Sequence, residues 1–157
     1  MKIMLYLSRS PRETEKLAGF LLAKFLKNNP PAGRNKSVVI ALEGELGAGK
    51  TTFTKGLAKA LGIKKKIKSP TFTLVKSYKI PTTYYKLVTI SYLYHIDCYR
   101  LKNYKDLLPL GIKEIISRSE NIVLIEWSDR VKEILPKKHI KIHIDHIDKD
   151  TRKITLK

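Results

Sequence analysis

The sequence predicts an α/β fold: a single domain over residues 1–157 in which a mixed parallel and antiparallel sheet is flanked by helices. Three observations predict it. Two continuous apolar runs, Val38-Val39-Ile40-Ala41-Leu42 and Ile122-Val123-Leu124-Ile125, have the composition of strands buried on both faces of a sheet. The first run leads into a glycine-rich turn and then an amphipathic helix, the strand–turn–helix order of an α/β unit. The tail alternates instead, with Ile140, Ile142 and Ile144 facing one way and Lys141 and His143 the other, as in a half-buried antiparallel pair.

Ile3 to Leu7 reads as a short strand. Arg9, Arg12 and Glu13 interrupt this apolar start too soon for a signal-peptide core. Ser10-Pro11-Arg12-Glu13 is a helix start, with Ser10 as cap, Pro11 at the first helical position and Glu13 completing a capping box. Leu17, Leu21 and Phe25 recur at helical spacing and carry that helix to about Leu26, where Asn28-Asn29-Pro30-Pro31-Ala32-Gly33 ends it. After the strand at 38–42, a second helix runs from about Lys50 to Leu61, with Phe53, Leu57, Ala60 and Leu61 on one face and Gly62 as its stop. Residues 71–80 and 88–99 are rich in β-formers, and Pro81-Thr82-Thr83-Tyr84-Tyr85-Lys86 between them reads as a hairpin loop. Residues 105–117 predict short helices around Pro109 and Gly111. The strand at 122–125 ends on Glu126, and a closing strand at 153–156 pairs with the alternating tail.

The formal net charge is +18, and 25 of the 32 basic residues are lysines. Such a surface attracts polyanions, but scattered lysine is also what biased composition leaves on a solvated surface, and charge alone describes steering rather than a site. Only Lys64-Lys65-Lys66 with Lys68 is dense. The one cysteine, Cys98, forms no internal disulfide and suits a reducing compartment. No apolar run approaches the roughly 20 residues that cross a bilayer, so a soluble, cytoplasmic protein with no membrane partner is expected.

Gly44-Glu45-Leu46-Gly47-Ala48-Gly49-Lys50-Thr51 matches the Walker A pattern in full, which makes the expected fold a P-loop NTPase domain that grips ATP with Mg2+. Gly44, Gly47 and Gly49 let the chain turn tightly so that amide N–H groups converge on phosphate oxygens, and the following helix aims its positive dipole end at the same anion. Lys50 would bridge the β- and γ-phosphates while the Thr51 hydroxyl ligates Mg2+. Glu126, at the C-terminal end of a buried strand, is the expected second metal-side carboxylate. Asp97 is a third candidate. Alternation along 93–99 puts it on one face with His95 and Tyr99, where it could orient the attacking water or hold a metal-bound water, or equally pair with Arg100 or a surface lysine. His139, His143 and His146 lack a matched ligand geometry for zinc. Tyr84, Tyr85, Tyr92, Tyr94 and Tyr99 read as sheet and core residues rather than a base-stacking platform.

Four segments together carry a resemblance: Leu42 through Phe53, Ser69-Pro70-Thr71-Phe72-Thr73-Leu74-Val75, His95-Ile96-Asp97-Cys98-Tyr99-Arg100-Leu101, and Ile125-Glu126-Trp127. In order and spacing they resemble the TsaE family, the small P-loop ATPases of bacterial threonylcarbamoyladenosine synthesis in tRNA. The resemblance implies ATP and Mg2+ binding, with slow hydrolysis alone and faster hydrolysis on the TsaB–TsaD pair. TsaD is the transferase, and the ATP cycle resets the complex between turnovers. It further implies that Thr51 and Glu126 hold Mg2+ and that Asp97 is needed for hydrolysis. Ser69-Pro70-Thr71 is implied as a switch-like loop near the γ-phosphate, Thr14 as a contact to the nucleotide base and Trp127 as a neighbour of the site. Glu45, Leu46, Ala48 and Thr52 complete the nucleotide-binding segment. Position 45 is usually Asp in the family, the connections at 30–37 and 81–87 look long, and the positive charge is atypical, which leaves room for direct affinity for tRNA. Two rival readings share the loop: a small-molecule P-loop kinase, against which the seven arginines form no lid cluster, and a basic tRNA-binding assembly module with little turnover.

Overall fold

The computed structural model describes residues 3–28, 36–81 and 90–157. In chain order these form β1 (Met4–Ser8), α1 (Pro11–Asn28), β2 (Val38–Glu43), α2 (Lys50–Ala60), β3 (Val75–Lys79) and β4 (Tyr92–Asp97). A 3-10 helix (Tyr104–Leu110), α3 (Ile112–Ser117), β5 (Asn121–Glu126), a second 3-10 segment (Ser128–Ile134), β6 (Ile140–His146) and β7 (Arg152–Leu156) follow. The strands make one sheet in the order β1-β7-β6-β2-β5-β4-β3. Its centre, β6-β2-β5-β4, is parallel; β7 on one side and β3 on the other run against it, and the edge strand β1 pairs antiparallel with β7. The mixed sheet expected from the sequence is the one observed.

The two apolar runs sit at the middle of this sheet because both of their faces are covered. Val38, Ile40, Leu42, Ile122 and Leu124 pack with Leu21, Leu22, Phe53 and Leu57 of α1 and α2. The alternate residues Val39, Val123 and Ile125 join a second core with Leu107, Ile112, Ile116 and Val131 from α3 and the 3-10 segments. Residue alternation along each strand therefore feeds two cores at once.

At the start of α1 the Ser10 hydroxyl accepts the Glu13 N–H at 3.2 Å, and the Glu13 carboxylate accepts the Arg9 N–H at 2.7 Å, a capping box displaced by one residue on its return arm. Helices α1 and α2 then cross in backbone contact, since a β-carbon on Gly56 would lie 2.3 Å from the Glu15 carbonyl oxygen. That closeness fixes where α2 begins relative to the sheet.

The middle of the chain departs from the expectation. Of residues 71–80, only Val75–Lys79 is strand. Residues 71–74 form a turn in which the Leu74 N–H donates to the Pro70 carbonyl at 2.6 Å and Leu74 has a positive φ of 62°. The Ser69 and Thr71 hydroxyls donate to the distant Asp97 carboxylate, and these bonds outweigh the β-propensity of the segment. The second expected strand stops at Asp97, whose side chain accepts the Tyr99 N–H at 2.9 Å and turns the chain. Tyr99 is thus beyond the strand and exposed, and the face predicted for three residues holds only His95 and Asp97. The expected hairpin loop, with Tyr84 and Tyr85, and the start of its second strand lie largely outside the described residues, as does most of the 28–33 connection. The short helices around Pro109 and Gly111 are present, with Gly111 at φ 73° between them. The 3-10 segment after Glu126 has no counterpart in the sequence reading.

Candidate phosphate-binding site

The central strands end together at the N-terminus of α2. In register, Leu42 pairs with Glu126 and Asp97 pairs with Glu126, so three strand ends meet the glycine loop. The sheet face that lies under α2 is apolar until its last residues: Leu93 gives way to His95 and Asp97 on β4, and Leu124 gives way to Glu126 on β5. Polarity is thereby confined to the rim, where a ligand can use it.

The loop itself needs glycine for two separate reasons. At Gly44, with φ 142°, a β-carbon would sit 2.3 Å from the Ile144 carbonyl oxygen of β6, so the backbones touch. Gly49, at φ 104°, occupies a conformation that other residues rarely adopt and is the residue from which α2 starts. The first turn of α2 carries no acidic residue and its N-terminus has no side-chain cap, so its N–H groups face the loop as an anion-binding end.

Loop and strand ends enclose a cleft of about 420 Å3. Leu46, Gly47, Gly49, Lys50, Thr51 and Thr52 form one wall, and Ser69, Thr71, Asp97, Tyr99, Glu126 and Trp127 the other. Gly44, Glu45 and Ala48 belong to the loop without lining the cleft. Thr14 is not brought there: it is buried under α1, with its hydroxyl 2.7 Å from Ser8 Oγ and 3.3 Å from the Ser10 carbonyl, tying α1 to β1.

Lys50 is 5% exposed. Its ammonium donates to the carbonyls of Gly44 and Glu45 at 2.7 and 2.8 Å and lies 3.9 Å from the centre of the Trp127 ring. Burial holds its pKa below the ordinary lysine value, against the opposing pull of Glu126 and Asp97. Trp127, at a positive φ of 57°, turns the chain out of β5 so that its indole covers this cation, with Tyr99 at 5.1 Å and the Arg130 guanidinium at 5.6 Å from the same ring.

Glu126 is 2% exposed and gathers three donors on Oε1: His95 Nε2 at 2.7 Å, Thr54 Oγ1 at 3.3 Å and Thr51 Oγ1 at 3.4 Å. Since the carboxylate accepts, His95 carries its proton on Nε2, and its Nδ1 is buried without a hydrogen-bond partner. Sequence reasoning assigned no role to His95 or Thr54. The signal for His95 was its position two residues before Asp97 on the same strand face; for Thr54 there was none. Among the described residues Asp97 pairs with neither Arg100 nor a lysine. Oδ2 accepts the hydroxyls of Ser69 at 2.5 Å and Thr71 at 2.7 Å, while the Arg100 guanidinium stacks 4.2 Å from the exposed Phe72 ring.

Thr51 and Glu126 present a hydroxyl and a carboxylate, hard oxygen donors, side by side on the cleft wall. Among the described residues no group of three or more His, Cys, Asp or Glu side chains could cage a metal. A pair of oxygen donors fits Mg2+, which keeps several waters and shares its remaining positions with substrate phosphates. Cys98 is buried, and burial among acidic neighbours pushes its thiol up to about 12, so it supplies no thiolate nucleophile.

Comparison with known proteins gives a consistent result. A family model described as "Threonylcarbamoyl adenosine biosynthesis protein TsaE" matches residues 8–154. The tRNA threonylcarbamoyladenosine biosynthesis protein TsaE of Haemophilus influenzae is 40% identical over 121 residues, 77% of this chain and 70% of that protein. Its namesake in Bacillus subtilis is 37% identical over 158 residues, 99% of this chain and 85% of the other. The crystal structure of Bacillus subtilis YdiB superposes with a TM-score of 0.71 at 32% identity, covering 99% of this chain and 84% of that one.

Proposed function

The chain belongs to the TsaE family of threonylcarbamoyladenosine biosynthesis proteins, and on that footing we propose that it is a Mg2+-dependent ATPase, its residues 1–157 acting as one domain. Its place is in the threonylcarbamoyladenosine modification of tRNA. The observation that carries the ATPase reading is the desolvated Lys50 ammonium inside a glycine loop, facing a cleft whose opposite wall is Glu126 and Asp97.

Lys50 exchanges the Gly44 and Glu45 carbonyls for β- and γ-phosphate oxygens when nucleotide enters, an exchange of like for like in hydrogen bonds that adds an opposite charge. Thr51 and Glu126 would hold Mg2+, which would neutralise charge on the nucleotide's phosphates when bound. His95 and Thr54 fix the Glu126 carboxylate, so its orientation is set before the ligand arrives. Asp97 holds Ser69 and Thr71 at the cleft wall; release of those hydroxyls by the γ-phosphate frees its carboxylate to orient the attacking water. Catalysis is then positioning and charge neutralisation by loop amides and Lys50.

On this reading the chain acts in the cytoplasm alongside TsaB and TsaD partners; among the described residues no helix is long and apolar enough to cross a membrane. Release of inorganic phosphate from ATP should be slow for the chain alone and should rise when TsaB and TsaD are added. Transfer of the γ-phosphate to a small acceptor instead of water would assign the chain to the kinases and sink the proposal.

A further inference from the structure

Away from the phosphate cleft, α1 and the end of α2 border a second groove, of about 600 Å3, whose walls carry lysines. Lys55 and Lys59 stand one turn apart on α2, and Lys64, Lys65 and Lys66 follow in the loop after Gly62. Among the described residues Glu15 is the single acid on the groove wall. All five lysines are exposed, and among the described residues none of them forms an ion pair. Elsewhere among the described residues Lys141 and Lys153 form ion pairs, with Glu43 at 2.8 Å and Asp145 at 2.9 Å. The loop that bears the run is anchored, because Ile63 and Ile67 on either side of it are buried. Five cations without ion pairs thus line one groove on a fixed scaffold, a local density that the scattered lysines elsewhere do not reach.

We infer that this groove binds the ribose-phosphate backbone of RNA, and that the RNA is the tRNA of the modification pathway. Lysine is a compact point charge suited to phosphate oxygens, and the described lining holds no arginine fork and no aromatic ring. Base reading and base stacking call for just those missing groups, so the groove takes a backbone without sequence preference. An acidic protein partner is the poorer match, because protein interfaces draw their affinity from buried aromatic and arginine anchors. The same chain segment continues directly into Ser69 and Thr71, which hold Asp97, so groove and cleft share one connection. The inference does not rest on ATP hydrolysis, and its test needs no nucleotide.

The test is fluorescence anisotropy of a labelled, unmodified tRNA transcript titrated with the full chain over a range of salt. Each neutralised phosphate contributes about 0.7–0.9 to the slope of log K against log salt, so four or five lysines give a slope of about −3 to −4.5. Lys64→Ala/Lys65→Ala/Lys66→Ala should weaken binding about ten-fold or more at moderate salt and flatten the slope by about two. A control of equal charge change, Lys137→Ala/Lys138→Ala/Lys149→Ala, should leave affinity within about two-fold. Glu15→Gln should tighten binding, a gain that misfolding cannot produce. Equal losses in groove and control variants would reduce the effect to net charge and overturn the inference. So would undetectable tRNA binding by the wild type at low salt, or a Lys64→Ala/Lys65→Ala/Lys66→Ala variant that keeps wild-type tRNA affinity.

Discussion

Replacing Lys50 by methionine, which keeps the stem and removes the charge, separates binding from folding. In the free protein the ammonium makes two hydrogen bonds to loop carbonyls, each worth about 1.5–3 kcal/mol for a charged donor. Against this stands the cost of burying an ammonium that is 5% exposed, an effective penalty of several kcal/mol. The two terms nearly cancel, so Lys50→Met should shift stability by no more than about 1–2 kcal/mol, a change in Tm of under about 8 °C at this chain length. Nucleotide affinity is different, because the variant forfeits charge-assisted bonds to phosphate; a loss of about 3 kcal/mol or more is a hundred-fold or greater rise in Kd. Thermal melts give the first quantity and isothermal titration with Mg2+ and a non-hydrolysable ATP analogue the second. The pH dependence has a definite sign. Burial lowers the Lys50 pKa on folding, so protonated Lys50 costs stability at neutral pH, and that cost fades as the pH rises from its folded value toward 10.5. The wild type should thus gain stability relative to Lys50→Met over that alkaline interval, while its ATP affinity falls as the ammonium is lost. A variant that unfolds outright, or one that binds the analogue within about three-fold of wild type, would refute the assignment of Lys50 to phosphate.

His95→Ala empties a fully buried site and strips the shortest donor from Glu126 Oε1; it should cost about 2–4 kcal/mol in urea unfolding and weaken Mn2+ binding to the nucleotide complex about 10–100-fold. A stability loss with unchanged metal affinity would leave His95 a core residue only, and His95→Asn, which can still donate, should recover part of the metal affinity. The cleft wall holds one lysine against two buried carboxylates, so nucleotide without metal meets Glu126 and Asp97 as like charges. EDTA should therefore weaken ATP analogue binding about ten-fold or more, and metal-independent binding would contradict the role given to Thr51 and Glu126.

The parts of the fold legible in the sequence are those whose physics is local. The run 38–42 is apolar at every position, which only a strand covered on both faces tolerates, and β2 is covered by two cores. Ser10 and Glu13 act within one helical turn, and Ile140, Ile142 and Ile144 alternate along one strand. The expected strand over 71–80 failed for an opposite reason. Its β-forming composition is genuine, but Asp97, more than twenty residues away, takes the Ser69 and Thr71 hydroxyls and curls the segment before it can pair.

The site divides along the same line. The glycine loop and the acid closing the 122–125 run are visible one segment at a time, because a loop that must turn on glycine and a carboxylate at the end of an apolar strand are both anomalies of local pattern. The partners of that carboxylate are not. A carboxylate that is 2% exposed persists only where donors converge on it, yet those donors come from α2 and from the neighbouring strand β4, and which β4 residue faces Glu126 depends on a parallel register that no local pattern encodes. A slip of one residue would have turned His95 to the other core and left Glu126 with two distant hydroxyls. The requirement that Glu126 be satisfied is thus itself a constraint on how β4 and β5 align, and the buried imidazole serves the sheet's register as directly as it serves the metal side of the cleft.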